Sequence, residues 1–206
     1  MRGAILILSG PSGAGKSSMI KELEKEIKDI YFSVSVTTRA KRDGEKEGID
    51  YHFVSKDEFE KDIKDGYFLE WAKVHDNYYG TSLKHTIQAI DEGKLVVFDI
   101  DVQGFLQARK KLDDLITSVF ITTPSAKELK SRLLKRATDS KETIQKRVQN
   151  AYNELALAHE YDYFIVNDIL KNAKKELLSI AMASRAKTSS INLDNFIKEW
   201  SQLDIK

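Results

Sequence analysis

An α/β fold, a parallel sheet flanked by helices, is predicted by two features of this 206-residue sequence. Continuous apolar runs, the signature of strands covered on both faces, alternate along the chain with segments of helical periodicity. The first run, Ala4-Ile-Leu-Ile-Leu8, ends in Gly10-Pro-Ser-Gly-Ala-Gly15-Lys16-Ser17, a glycine-rich turn that leads into a helix. Glycines there let the backbone wrap a phosphate chain, and the amides entering the helix point inward at the positive end of its dipole. Lys16 adds a full charge and Ser17 a hydroxyl suited to Mg²⁺, so the turn reads as a binding loop for a nucleoside triphosphate.

Taken in order, Ala4 to Leu8 reads as a central buried strand. Apolar Met19, Ile20, Leu23 and Ile27 then recur at helical spacing from Lys16 to about Ile27. Tyr31 to Thr38 alternates as one strand and runs into a charged loop, residues 39–51. Tyr51 to Val54 is a short strand; Ser55-Lys-Asp-Glu58 forms a capping box for a helix to about Lys64, stopped by Gly66. Tyr67 to Val74 and Asn77 to Thr81 read as strands and Ser82 to Asp91 as a helix. Leu95 to Asp101 is a second buried strand that ends in charge, which in an open parallel sheet aims Asp99 at the phosphate loop.

A helix is predicted over about Gln103 to Lys111 and a third buried strand over Ser118 to Thr122. Ser125 and Glu128 form a further capping box for a helix to about Lys135. A turn at residues 137–140 pairs it with a second helical segment, and Arg132, Arg136 and Arg147 lie in or beside this pair. Tyr163 to Val166 reads as a fourth core strand, followed by Asn167-Asp168, a helix to about Ala186 and a closing helix over Leu193 to Trp200. Short strands between about Val34 and Leu83 break the alternation and mark an inserted substrate-binding subdomain.

Composition narrows the partners. With 33 basic residues against 32 acidic the net charge is +1, too little to hold a polyanion by counterion release, so nucleic acid and anionic membranes are not expected. The absence of cysteine excludes disulfides, thiolate metal sites and a cysteine nucleophile, and fits a reducing cytoplasm. No apolar run approaches the length of a membrane span or of the core of a secretory signal. No repeat or linker-like tract appears, which points to one core domain carrying insertions.

Further motifs follow the phosphate loop: Ser35-Val-Thr-Thr-Arg39, Gly48-Ile-Asp-Tyr51, Glu70-Trp71, Tyr78-Tyr79-Gly80-Thr81, Asp99-Ile-Asp101-Val-Gln-Gly104 and Ile165-Val-Asn167-Asp168. In this order and spacing they make the chain, over about residues 3–183, closely resemble the guanylate kinases. The resemblance implies transfer of the ATP γ-phosphoryl group to GMP or dGMP, with Mg²⁺, by a phosphate-loop kinase core (residues 1–33, 84–124 and 158–206). It further implies a GMP-binding subdomain (34–83) and a helical lid (125–157).

On the donor side it implies that Gly10, Pro11, Ser12, Gly13, Ala14, Gly15, Lys16, Ser17 and Ser18 bind ATP, with Asn167 near the adenine. Ser17 and, through water, Asp99 would hold Mg²⁺. On the acceptor side it places Ser35, Arg39, Arg42, Tyr51 and Tyr79 around GMP. Glu70 and Asp101, acceptors when ionised, suit the guanine N1–H and amine, while the hydroxyl of Ser35 or Thr81 suits O6. Lys16, Arg39, Arg132, Arg136 and Arg147 would carry the catalytic positive charge. No side-chain base is needed, because a monophosphate is already mostly dianionic.

Two positions depart from the family pattern: Lys41 replaces the usual proline, and Ala137 the usual glycine of the lid turn. A scaffold that binds protein ligands without catalysis, or a phosphate-loop kinase for another small acceptor, are the rival readings. Against the first stand Lys16, Ser17, Asp99 and the arginines, all present; against the second, the Glu70 and Asp101 pair with Tyr51 and Tyr79. Oligomeric state, monomer or homodimer, is left open.

Overall fold

The computed structural model describes residues 3–135 and 140–201. Its centre is a five-stranded parallel sheet in the order β2-β7-β1-β8-β9. These strands are β1 (Ala4–Ser9), β2 (Ile30–Phe32), β7 (Leu95–Asp99), β8 (Ile116–Thr122) and β9 (Tyr163–Val166). β1 lies between β7 and β8, in register Ile5↔Val96 and Ile5↔Ile116, and every residue in it is buried. Its continuous apolarity has a direct cause. Leu6 and Leu8 pack with Met19 and Leu23 of α1 (Lys16–Glu26) and Leu177 of α7 (Leu170–Ser184). Ile5 and Ile7 pack on the other face, with Ala89 of α3 (Leu83–Asp91) and Phe105 of α4 (Val102–Leu112). Each aliphatic side chain so buried contributes about 1.5–3 kcal/mol, so the strand that carries the loop is held from both sides.

A second, four-stranded sheet has the order β4-β3-β6-β5. It comprises β3 (Val36–Thr37), β4 (His52–Phe53), β5 (Phe68–Val74) and β6 (Asn77–Ser82). Its own small core joins Val36, Phe59 and Phe68, with the Phe59 ring 4.2 Å from that of Phe68. Phe59 comes from α2 (Lys56–Lys64), which Ser55 caps by accepting from the Glu58 amide at 3.2 Å. A register shift between Phe68 and Glu70 puts consecutive residues to different uses. Phe68 enters this core, while Leu69, fully buried, enters the apolar layer that α3 and α4 form with the main sheet. The bulge thus anchors the inserted sheet and sets the position of Glu70.

The third unit is a helical pair, α5 (Ala126–Lys135) and α6 (Lys141–Leu155), with a separate cluster of Leu129, Leu133, Ile144 and Ala151. The last element, α8 (Leu193–Ser201), buries none of its residues. Among the described residues no helix is long and apolar enough to cross a membrane.

Several expectations need correction. Tyr31 to Thr38 is not one strand: Ile30–Phe32 pairs with β7 in the main sheet, and Val36–Thr37 belongs to the inserted one. The chain changes sheets at residues 33–35 without losing its alternating pattern. β8 starts at Ile116, two residues before Ser118. The run 95–101 leaves the sheet after Asp99, because Asp101 Oδ1 accepts from the Gly104 amide at 2.8 Å at the start of α4. β9 is an edge strand, not a core strand: only Ile165 is buried, while Tyr163, Phe164 and Val166 are 43–50% exposed.

Candidate active site

At the C-terminal end of β1 the backbone takes conformations open to glycine. Gly10, Gly13 and Gly15 have φ of 139°, 98° and 97°. A Cβ on Gly10 would stand 1.9 Å from the Ile121 carbonyl oxygen, and one on Gly15 2.3 Å from Asn167 Nδ2. The loop is therefore pressed against β8 on one side and the end of β9 on the other. Asn167 is 2% exposed; its Nδ2 donates to the Ala14 carbonyl at 2.7 Å, and its backbone carbonyl accepts from Arg132 Nη2 at 2.9 Å. Asn167, expected near the adenine, braces the loop through its Nδ2, while its buried Oδ1 has no hydrogen-bond partner among the described residues.

The loop walls a polar cavity of about 320 Å³ shared with Ser17, Asp99, Asp101 and Glu154. Lys16 Nζ donates to the Gly10 carbonyl at 2.5 Å and lies 3.8 Å from Asp99 Oδ1. Burial raises the Asp99 pKa, and Lys16 only partly offsets this. Glu154, on α6, is raised by burial too, again against the attraction of Lys16. Pro11, Ser12 and Gly13 also line it, whereas Ala14, buried, and Ser18, exposed on the first turn of α1, lie outside its wall. A second cleft of about 410 Å³ beside α5 and α6 has no charged residue in its lining, so it cannot neutralise phosphate.

Most of the residues expected around the acceptor gather on and beside the inserted sheet, while Asp101 lines the cavity of the loop. Thr81, 3% exposed, donates to Glu70 Oε1 at 2.6 Å across the β5–β6 pairing. Its single hydroxyl hydrogen is thereby spent, so of the two hydroxyls considered for O6 only that of Ser35 keeps its donor for the base. Tyr51 and Tyr79 meet edge to face at 6.0 Å, and Arg39 Cζ lies 5.4 Å from the Tyr51 ring centre. Arg39 is itself paired with Glu45, 2.7 Å away, and the Arg42 amide donates to the same carboxylate at 2.8 Å. Arg42 and Lys41 are exposed.

On the helical pair, Arg132 is tied to Glu128 at 2.8 Å as well as to Asn167. Arg147 Nη1 donates to Ser12 Oγ at 2.6 Å, so α6 reaches over the loop. Arg136 and Ala137 lie outside the described residues. Sequence reasoning missed two groups, Glu45 and Glu154. Glu45 sits in a run of charges that reads as solvated, and Glu154 reaches the cavity only because α6 folds back over it.

A parallel sheet whose central strand empties into a glycine cradle, with a lysine and a carboxylate at its mouth, defines a phosphate-loop nucleotide-binding protein. The family model described as guanylate kinase matches residues 2–184, and the chain belongs to the guanylate kinase family. It is 54% identical over 203 residues to "Guanylate kinase" of Campylobacter jejuni (strain RM1221), covering 98% of this chain and 99% of that one. It is 49% identical over 196 residues to the Helicobacter pylori (strain 26695) protein of the same name, covering 95% of each. Among solved structures, guanylate kinase from Anaplasma phagocytophilum aligns over 98% of this chain and 97% of its own, with a TM-score of 0.69 at 32% identity.

Proposed function

We propose a division of labour among these residues for the family's reaction. The chain is an ATP:GMP phosphotransferase, moving the γ-phosphoryl group of ATP to GMP to give ADP and GDP. The observation that carries the assignment of roles is the position of Lys16 at the mouth of the glycine cradle, opposite Asp99. Its ammonium is already fixed there before any charge develops, which is the condition for electrostatic stabilisation without reorganisation. The loop amides hold the β- and γ-phosphates, and Lys16 meets the charge that gathers between them in the transition state.

The acceptor phosphate supplies its own nucleophilic oxygen, so the protein's task is alignment. Arg39, Arg42, Tyr51 and Tyr79 hold that phosphate, and Glu70, kept in place by Thr81, accepts from guanine N1–H and the 2-amine. Adenine would turn an unprotonated N1 towards the same carboxylate, which is why AMP is refused. Arg147, on Ser12, and Arg132, on Asn167, carry positive charge from the helical pair to the donor loop, and closure of that pair excludes water. In this reading residues 34–83 are the GMP-binding subdomain, 125–157 the lid and the remainder the core.

The donor set at the cavity suits Mg²⁺ arriving with ATP. Ser17 and Asp99 offer hard oxygens, and among the described residues no cluster of three metal-binding side chains could hold an ion without the nucleotide. Held by Ser17 and, through water, Asp99, the ion would supply positive charge to offset that of the phosphates. The partners are ATP and GMP or dGMP, with no nucleic acid or membrane, and the site of action is the cytoplasm. A coupled assay for ADP across GMP, dGMP, IMP, AMP, UMP and CMP tests the assignment: turnover should be confined to guanine monophosphates, with weaker use of IMP. Equal turnover of AMP would overturn the role given to Glu70.

A further inference from the structure

We infer that Glu45 is a positioning residue for the acceptor's phosphate, holding Arg39 and the amide of Arg42 in the arrangement that receives it. The inference rests on the reading of Arg39 as a phosphate ligand. Arg39 Nη1 donates to Glu45 Oε2 at 3.1 Å and Nη2 to Oε1 at 2.7 Å, a parallel two-bond fork. The second hydrogen of Nη1 goes to the Ala40 carbonyl at 2.7 Å. These bonds use three of the five guanidinium hydrogens, and they leave Nε and one hydrogen of Nη2. Those two lie on one side of the planar group and form a second fork. A phosphate can therefore bind Arg39 while Glu45 stays where it is.

The surroundings are built to keep that second fork in place. The side chains of Arg39 and Glu45 are only 13% and 19% exposed although the loop around them is open. Tyr51 lies 5.4 Å and Phe53 5.8 Å from Arg39 Cζ, and the guanidinium also hydrogen-bonds the Tyr79 side chain, a partner that would share it with the phosphate. Glu45 is held well ionised, first by Arg39 and then by the Arg42 amide. One carboxylate thus links the two arginines of the acceptor loop, one through its side chain and the other through its backbone.

A mere counterion in this position would act in the opposite direction. Removing a negative charge beside two arginines should strengthen the attraction for any anion, whereas losing a positioning contact should weaken the grip on phosphate. Glu45→Gln, nearly isosteric, separates the two. GMP affinity by calorimetry and KM for GMP should each weaken about tenfold, the scale of a charged hydrogen bond, while guanosine affinity and KM for ATP stay within about twofold. Guanosine lacks the phosphate, so the ratio of the two affinities is unaffected by any loss of folded protein. Tighter or unchanged GMP binding would overturn the inference, as would an equal loss for guanosine.

Arg39→Met supplies the second arm. On that background Glu45→Gln should cost clearly less than it does in the parent, because its contact with Arg39 is gone and only that with the Arg42 amide remains. A full, independent loss there would also overturn the inference. If Arg39→Met by itself leaves the GMP-to-guanosine ratio unchanged, the phosphate role of Arg39 fails, whatever Glu45 does.

Discussion

Around residues 10–17 a phosphate would be met mostly by peptide amides, and their positions are set by buried neighbours: Gly10 against the Ile121 carbonyl and Gly15 against Asn167. Around residues 39–51 it would be met by side chains, and these are held by other side chains, Arg39 by Glu45 and, across the inserted sheet, Glu70 by Thr81. The donor cradle inherits its rigidity from a strand buried on both faces. The proposed acceptor site rests on a small sheet with a core of three buried residues and on ion pairs near the surface. Rigid backbone suits a triphosphate tail common to many nucleotides, whereas exchangeable side chains suit the discrimination of one base. Damage to the first region should therefore appear as lost turnover or lost fold, and damage to the second as altered preference among acceptors.

The largest effect should come from Lys16→Met, which removes the ammonium at the mouth of the cradle. Turnover should fall by about 10³-fold or more with the melting temperature nearly unchanged, since transition-state charge is stabilised chiefly there. A folded variant with near-parental kcat would reject the role of Lys16.

The acceptor side should respond differently. IMP keeps N1–H and O6 but lacks the 2-amine, so the parent should favour GMP over IMP by about ten- to a hundred-fold in kcat/KM, the scale of one charged hydrogen bond. Glu70→Gln should harm GMP more than IMP and narrow that gap. Enzyme and ligand changes form a double cycle whose coupling isolates the contact. If both substrates slow by one factor, Glu70 only shapes the pocket, and Asp101, which keeps one carboxylate oxygen beyond its bond to Gly104, becomes the reader of the amine.

Gly15→Ala sharpens the contrast from the other direction. The substitution meets both a positive φ and the Asn167 amide, so it should destabilise the fold by about 1–3 kcal/mol, read as a lower Tm, with the GMP-to-IMP ratio unchanged. A change in that ratio would mean that the two regions are less separable than their construction suggests.

What was legible in the sequence follows the same division. The donor loop is contiguous, its glycines and lysine lie within eight residues, and β1 announces itself by apolarity on both faces; nothing distant is needed to read them. Periodicity, however, reports exposure and not partners. The alternation of Tyr31 to Thr38 is the same in either sheet, so the change of sheet between Phe32 and Val36 leaves no mark. Tyr163 to Val166 is apolar throughout, yet lies at an edge where Phe164 is half exposed. The resemblance to the guanylate kinases supplied the residues proposed for the acceptor, Thr81 among them, but not the carboxylate that holds Arg39 or the bond from Thr81 to Glu70. Both are relations between side chains brought together by the fold.

The smallest expected effect is on stability, and it tests whether the donor site carries a cost for its charge. Asp99 has its pKa raised in the folded protein, chiefly by burial, with Lys16 opposing. A carboxyl so raised binds its proton more tightly folded than unfolded. Stability is therefore lost as pH climbs from the ordinary aspartate range through the raised value, and none is lost at acid pH, where both states hold the proton. Asp99→Asn removes the ionisation, so near neutral pH the variant should melt higher than the parent, by roughly 1–3 °C given a side chain partly screened by water. The gap should close as pH falls below about 4, where the parent's carboxyl is protonated too. Activity at limiting Mg²⁺ should fall in the same variant, placing function and stability in opposition at one residue. A variant that melts below the parent at neutral pH would show instead that the attraction between Asp99 and Lys16, 3.8 Å apart, outweighs the burial of the charge.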